Sequence, residues 1–330
     1  MSQPNEVDLQ ALGDLSTPWC VHVVATLRVA EHVAAGKTRL DELAAASGAN
    51  AEYLGRVLRH LVARGVFEEP EPGRFALNDA ARGFLESSLR LGLDLDGFGG
   101  RMAHAWSSLL DAVRTGAPAY HTVFGRPFWD DLQAHPEIAA AFDALMGPAG
   151  HGTPDPAVLL TGGWESVRTV VDVGGGTGAL LAEILRARPH VRGTLVDLPP
   201  AVTRSAETFR SAGVADRVTA AAQSFFDPLP AGADLYLLKN VLADWPDPQA
   251  RAILERCAEA SRPAGRVVLL GGVFPDADGA PPPALLMLVL VGGKERGLSE
   301  FRELARAAGL EVRAAGRQAS GRFVVECRPS

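Results

Sequence analysis

The sequence predicts a doubly wound α/β domain with a terminal antiparallel hairpin, preceded by an α-helical domain of winged-helix outline. Three observations lead there. Residues 167–330 alternate short apolar runs with amphipathic helical stretches, the pattern of a mostly parallel sheet covered by helices. Within that stretch, the apolar run Val170–Val173 passes into Gly174-Gly175-Gly176-Thr177-Gly178, a glycine loop that opens a helix. Upstream, residues 38–78 read as helix, turn, helix and short hairpin. At 330 residues the chain has room for two domains and a bridging element. The boundaries fall at 1–98 for the helical winged-helix domain, 99–165 for a helical linker that walls a pocket, and 166–330 for the α/β domain.

In chain order, residues 8–36 carry apolar positions at helical spacing through Trp19, Val23, Leu27, Val29 and Val33. That face is broader than one small domain needs, and with the apolar segment Leu89–Phe98 it predicts a dimer interface. Thr38–Ser47 and Ala51–Arg64 are helices about the turn Gly48-Ala49-Asn50, and Gly65–Leu77 is a short hairpin. Residues 99–165 are helical and irregular, with a helix over Pro136–Met146 and a Gly/Pro-rich loop over Gly147–Gly163. The α/β part then has strands near 167–173, 192–196, 218–222, 233–238 and 266–270. Helices near 180–188, 202–212, 248–261 and 298–308 separate them, and paired strands at 311–317 and 322–327 end the chain.

Composition excludes several classes. The net charge of −7 speaks against a nucleic-acid binder that works by neutralising phosphates. In the winged-helix segment, Arg56, Arg59, His60 and Arg64 share the surface with Asp41, Glu42, Glu52, Glu68, Glu69 and Glu71, so a dimerising wing is expected rather than a DNA-reading one. Cys20, Cys257 and Cys327 are scattered, with no CxxC, which predicts reduced thiols and neither a disulfide frame nor a metal site. The start, Met1–Glu6, has no basic and apolar leader pattern, and the longest apolar run, Ala284–Val291, is far below the ~20 residues of a membrane helix. A cytoplasmic protein is expected.

The glycine loop carries the chemistry. Glycines let backbone approach a ligand, and such sheets bind ligands outside the carboxyl ends of their strands. Asp172, two residues before Gly174, suits S-adenosylmethionine, whose methionine end carries an ammonium. One strand later, Asp197 can accept both hydroxyls of a ribose, a device that dinucleotide sites share.

At this point the chain resembles a known family. The winged-helix outline and helical linker are followed in order by Asp172-Val173-Gly174-Gly175-Gly176-Thr177-Gly178, Val196-Asp197-Leu198-Pro199 and Phe225-Phe226-Asp227-Pro228-Leu229-Pro230. Asp244-Trp245-Pro246-Asp247 and Gly292-Gly293-Lys294-Glu295-Arg296 complete the series. The whole resembles the S-adenosylmethionine-dependent O-methyltransferases of plant caffeate and bacterial polyketide type. The resemblance implies a class I methyltransferase fold, a homodimer formed through the N-terminal domain, and a small, usually aromatic, secondary-metabolite substrate. It implies cofactor contacts from Asp172, Gly174, Gly176, Gly178, Asp197 and Leu198, and from Ser224, Phe225 and Lys239. It implies a substrate wall from Trp129, Phe142, Met146, Asn240 and Met287.

The departures concern catalysis. The family's base is a histidine immediately before Asp-Trp, and here that position is Ala243. An orienting glutamate after the next strand is replaced by Gly271-Gly272, while a second one is kept as Glu295. The adenine-contacting acid before Phe-Phe is Ser224, which retains a hydroxyl. Alignment of nucleophile and methyl group can supply ~7–11 kcal/mol of the barrier, against about 10²–10⁴-fold from a base. The expected enzyme therefore methylates by proximity or through a relocated base. Candidates for that base are His151, with His104 and His121 as alternatives, and Asp244; Glu295 orients a substrate hydroxyl or pairs with Arg296. Three other readings stay open: a cofactor-binding relative that hydroxylates, decarboxylates or rearranges its substrate, an inactive or regulatory winged-helix protein, and a nicotinamide-dependent enzyme.

Overall fold

The computed structural model describes residues 7–330; the Met1–Glu6 segment lies outside the described residues. The chain divides into two compact units. One comprises the described residues up to Ala103 together with Ala140–Gly150, and the other His104–Ala139 with His151–Ser330.

The first unit opens with α1 (Leu9–Leu12), α2 (Ser16–Thr26) and α3 (Val29–Ala34), followed by α4 (Leu40–Ser47) and α5 (Ala51–Ala63). The helical stretch expected over 8–36 is thus three helices. Asp8 caps the first by accepting from the Gln10 and Ala11 amides, Gly13 ends it, and Arg28 in the left-handed region breaks α2 from α3. On α5, Leu54, Leu58 and Leu61 are buried at one-turn spacing, and the Asn50 side chain caps its first turn by accepting from Tyr53 N–H. The wing is β1 (Glu68–Glu71) against β2 (Arg74–Ala76), tied to the start of α4 by Leu40 N–H to Gly73 O and Phe75 N–H to Thr38 O. The arginines of α5 meet acids, Arg56 with Glu52 and Arg59 with Glu69. Then come α6 (Asp79–Arg82), α7 (Ser87–Leu93) and α8 (Phe98–Ala105). Leu9, Leu12 and Leu15 are exposed on and beside α1.

The second unit adds α9 (Leu109–Thr115), α10 (Tyr120–Phe124) and α11 (Phe128–Ala134); the end of α8 and α12 (Pro136–Met146) cross the division. The expected loop over 147–163 contains a short helix, α13 (Pro148–His151).

The α/β part runs β3 (Thr169–Val173), α14 (Ala179–Ala187), β4 (Arg192–Asp197), α15 (Pro199–Ser211), β5 (Val218–Ala222), β6 (Leu235–Lys239), α16 (Asp247–Ala260) and β7 (Arg266–Leu270). It continues with β8 (Val273–Phe274), α17 (Leu285–Leu290), β9 (Arg296–Gly297), α18 (Leu298–Ala307), β10 (Leu310–Arg317) and β11 (Phe323–Pro329). The sheet order is β10-β11-β7-β6-β3-β4-β5, parallel from β7 to β5 and antiparallel at the β11 and β10 end. One face is covered by α16 and α18, the other by α14 and α15, and each covered face has its own apolar core. The chain reverses its direction of travel across the sheet between β3 and β6, the switch point where such folds bind ligands. The small parallel pair β8/β9 and helix α17 have no counterpart in the sequence expectation, because two- and six-residue elements leave too short a pattern.

All three cysteines are free, and burial pushes the thiols of Cys257 and Cys327 up to about 12, which makes them inert packing groups. No helix among the described residues is long and apolar enough to cross a membrane.

Glu326 on β11 is buried and ties the segment before β3 to the sheet, accepting from Leu160 N–H (2.5 Å), Thr161 N–H (3.1 Å) and the Thr161 hydroxyl. Its replacement by alanine leaves these donors without their acceptor. Glu326→Ala is expected to lower stability by about 3 kcal/mol, read as a lower urea midpoint, with Glu326→Gln intermediate.

Candidate active site

The site is assembled at the carboxyl ends of β3, β4, β6 and β7. Val173 pairs with Val196, and Lys239 with Leu270, so neighbouring strands end level and their loops open on one edge.

After β3 the loop folds over itself. Gly174 N–H donates to Val196 O (2.8 Å), Gly176 N–H to Asp197 Oδ2 (2.7 Å) and Gly178 N–H to Gly175 O (3.0 Å). Gly178 has φ +76°, and a Cβ there would run into the ring of Phe209, so only glycine lets α14 start at this point. Asp197 also accepts from Leu198 N–H (2.7 Å), which holds its carboxylate at the head of α15.

Asp172 is 1% exposed, and neither carboxyl oxygen has a hydrogen-bond partner among the described residues. Burial pushes it up to about 7, against the pull of the Lys239 ammonium and with the push of Asp197. Lys239 is half-buried at the end of β6, and burial lowers its own affinity for a proton. A buried acid left unpaired beside a glycine loop suits a ligand that brings a cationic group. The ammonium of S-adenosylmethionine meets that requirement, with Asp197 placed one strand away for the ribose.

The opposite wall is aromatic. Phe225 lies against the loop, 3.3 Å from where a Gly174 Cβ would sit. Trp245 is the hub: Phe226 and Phe225 meet it edge-on at 5.0 and 5.9 Å between centroids, and Trp129 stacks on it at 6.2 Å and 16°. Ser224 uses its hydroxyl to accept from Phe226 N–H (3.2 Å), shaping this turn. Trp129 is itself carried on a braced corner. The buried Tyr120 hydroxyl donates to Asp131 Oδ2 (2.8 Å), and His135 Nδ1 lies 3.0 Å from Asp131 Oδ1.

The segment after β6 turns sharply. Asn240 adopts φ +56° with its N–H on Leu270 O (2.8 Å), and its exposed side chain lies over Gly271. Ala243 is buried in a single turn, Leu242–Asp244, with Gly272 beside it: a Cβ on Gly272 would lie 3.4 Å from the Ala243 Cβ. Asp244 follows, half-buried; burial and then the charge of Glu295 push it up to about 7. Burial also raises Glu295, whose Oε2 is buried without a hydrogen-bond partner among the described residues. Arg296 does not bond to Glu295: its donors go to Leu242 O, Lys294 O, Trp245 O and Asp247.

Two family profiles match the chain: an O-methyltransferase dimerisation domain over residues 9–87 and an O-methyltransferase domain over 106–311. The chain belongs to the O-methyltransferase family. With that family's cofactor, it is an S-adenosylmethionine-dependent methyltransferase. Among curated O-methyltransferase relatives, a 2,7-dihydroxy-5-methyl-1-naphthoate 7-O-methyltransferase of Streptomyces carzinostaticus is 42% identical over 313 residues, 94% of both chains. The aclacinomycin 10-hydroxylase RdmB of Streptomyces purpurascens is 41% identical over 323 residues, 94% of this chain and 85% of the relative. Among solved structures, the O-methyltransferase NcsB1 from neocarzinostatin biosynthesis, in complex with S-adenosylmethionine and 2-hydroxy-5-methyl naphthoic acid, superposes with a TM-score of 0.91 at 40% identity. That match covers 99% of this chain and 100% of NcsB1.

Against this O-methyltransferase frame the expected site residues separate. Asp172, Gly174, Gly176, Gly178, Asp197, Leu198, Ser224, Phe225 and Lys239 lie on the strand ends and following loops at this one edge of the sheet. Trp129 and Asn240 belong to the same unit, as does Met287, half-buried on α17. Phe142 and Met146 belong to the first unit; Phe142 packs edge-on against Phe98 at 5.0 Å, and Met146 is exposed. His151 ends α13 exposed to solvent and enters none of the site's hydrogen bonds; four residues bounded by glycines give it no anchor. His104 and His121 are exposed as well. Sequence reasoning missed Arg296 and the Trp245 hub, although both stand inside motifs it quoted.

If Asp172 must be ionised to hold a cationic ligand, protons and ligand compete. Binding of S-adenosylmethionine is then expected to weaken as pH falls below about 7, approaching tenfold per unit, with proton release on binding at pH 6. Calorimetry in buffers of different ionisation enthalpy reads both, and Asp172→Asn should bind weakly with a flat profile.

Proposed function

We propose that this enzyme methylates a hydroxyl of a small aromatic or polyketide-derived secondary metabolite, and that Asp244, paired with Glu295, takes the proton. The carrying observation is the half-buried acid pair beside Ala243. Two carboxyls in one low-dielectric site resist ionising together, so one holds a proton near neutrality while the other is available to accept one. Bound at the glycine loop, S-adenosylmethionine supplies an electrophilic methyl group. The chain's own work is alignment: Asp172 and Asp197 hold the cofactor's ammonium and ribose, and Trp129, Trp245 and Met287 confine a flat acceptor. The Asp244 carboxylate would take the acceptor's O–H proton while the acceptor oxygen bonds the methyl carbon and the methyl–sulfur bond breaks, the electron pair staying on sulfur and S-adenosylhomocysteine leaving. An acceptor already ionised, such as a hydroxyquinone, needs alignment alone. Transfer to carbon or nitrogen would use the same placement.

Support for the substrate class comes from the naphthoate relative and from the naphthoic acid bound in NcsB1. Support for a homodimer through the N-terminal domain comes from the dimerisation profile and from exposed Leu9, Leu12 and Leu15. The second reading, a non-methylating reaction at the same cofactor site, is favoured by the likeness to a hydroxylase.

Product mass decides between them: a gain of one methylene unit supports methylation, and a gain of one oxygen or loss of carbon dioxide supports the second reading. With Asp244 as acceptor, kcat should rise with pH through about 7, because the carboxylate is the working form. Asp244→Asn should lower kcat about 10²-fold or more while leaving cofactor binding intact; an unchanged kcat would sink the role given to Asp244 and leave alignment alone.

A further inference from the structure

We infer that Arg296 is a positioning residue for the transfer step, holding the turn that carries Asp244 in register with Glu295. The inference rests on the reading of Asp244 as proton acceptor. Arg296 lies in β9 with a fully buried side chain, and its hydrogen bonds account for all five of its N–H donors. Nη1 donates to Leu242 O (2.9 Å) and Lys294 O (3.3 Å), Nη2 to Trp245 O (2.7 Å) and Asp247 Oδ1 (3.0 Å), and Nε to Asp247 Oδ1 (3.0 Å). The two carbonyls from the turn, Leu242 and Trp245, bracket Ala243 and Asp244.

A three-residue helical turn has little stability of its own, and Leu242–Asp244 is one. The guanidinium grips it on both sides. The same side chain grips its own loop through Lys294 O, and that loop also presents Glu295. The loop approaches so closely that any side chain on Gly293 would collide with the Ala243 carbonyl and the Asp244 backbone. One planar group therefore sets the spacing of both acids. Asp247 is the only carboxylate on Arg296 among the described residues, and its other oxygen accepts from Lys294 Nζ (3.0 Å), which also reaches Glu300 (2.5 Å). Lysine at 296 would keep the charge and lose the fork, since an ammonium has three donors and cannot span carbonyls on either side of a turn.

The test compares Arg296→Lys and Asp247→Asn with the parent enzyme, with Asp244→Asn as reference. The primary readout is tryptophan fluorescence against pH without substrate. Trp245 adjoins Asp244, so ionisation of the acid pair should give a transition near pH 7 that Asp244→Asn abolishes. In Arg296→Lys the midpoint should move by half a pH unit or more, and in Asp247→Asn by less, while calorimetric affinity for S-adenosylmethionine stays within about threefold. Turnover of the acceptor found by product mass should fall at least tenfold in kcat for Arg296→Lys, with the KM for S-adenosylmethionine little changed. A lower melting temperature with the fluorescence midpoint unmoved in both variants would make Arg296 a packing residue only and overturn the inference. If Asp244→Asn retains full kcat, the acceptor reading fails, and the fluorescence midpoints still decide whether Arg296 sets the turn.

Discussion

The parallel sheet is the constraint on which the rest depends. Its central strands are covered on both faces, so their backbone groups are met by neighbouring strands and their side chains by helices. Polar groups are left to the two edges of the sheet, and the edge where the strands end is the one that carries the glycine loop. Because β3, β4, β6 and β7 pair in register, they finish level, and residues distant in sequence emerge side by side. The glycine loop, the carboxylate of Asp197, Lys239 with the turn to Trp245, and the Gly271-Gly272 pair all follow a strand end directly.

That edge is unusual in its charge. Asp172 sits buried with Lys239 as a partial counterion and no hydrogen-bond partner among the described residues, while Asp244 and Glu295 push against each other a few residues beyond β6. A histidine between such acids would share their proton and soften the repulsion. With alanine there, the charge of Glu295 acts on Asp244, and Arg296, next to Glu295 in the chain, is committed to backbone carbonyls and Asp247.

Much of this was legible in the sequence where the signal is local. The β3–glycine loop–α14 unit, Asp172 and the Ala243 substitution each reside in a run of a few residues whose geometry is set by its own backbone. The helices and strands of the α/β part fell within a few residues of expectation because their apolar periods are long. What stayed hidden depends on partners far along the chain. Nothing near Arg296 says that its guanidinium reaches Leu242 and Trp245, nor does anything near Trp129 say that it stacks on Trp245. The Tyr120–Asp131–His135 brace is nearly local, yet burial, which the sequence does not print, is what gives it consequence. His151 shows the converse: its place in a glycine-rich segment is plain in the sequence, but its exposure at the end of a four-residue helix is not.

The backbone around Asn240 bears on how the family's sequences can interconvert. Asn240, Gly271 and Gly272 all sit in left-handed conformations, which cost a residue with a side chain ~1–2 kcal/mol apiece. An acid restored at 271 would meet that penalty and strike the Asn240 amide, and one restored at 272 would press on Ala243. Histidine at 243 by itself would arrive with Glu295 but without the other orienting acid. A histidine with an acid from this strand behind it therefore needs change at two places, 243 and either 271 or 272, and the acid is unfavourable on its own. The two left-handed glycines thus keep an acidic side chain away from position 243 and leave Asp244 and Glu295 as the carboxyls at that corner, so that any change of acid placement there must first remodel the backbone.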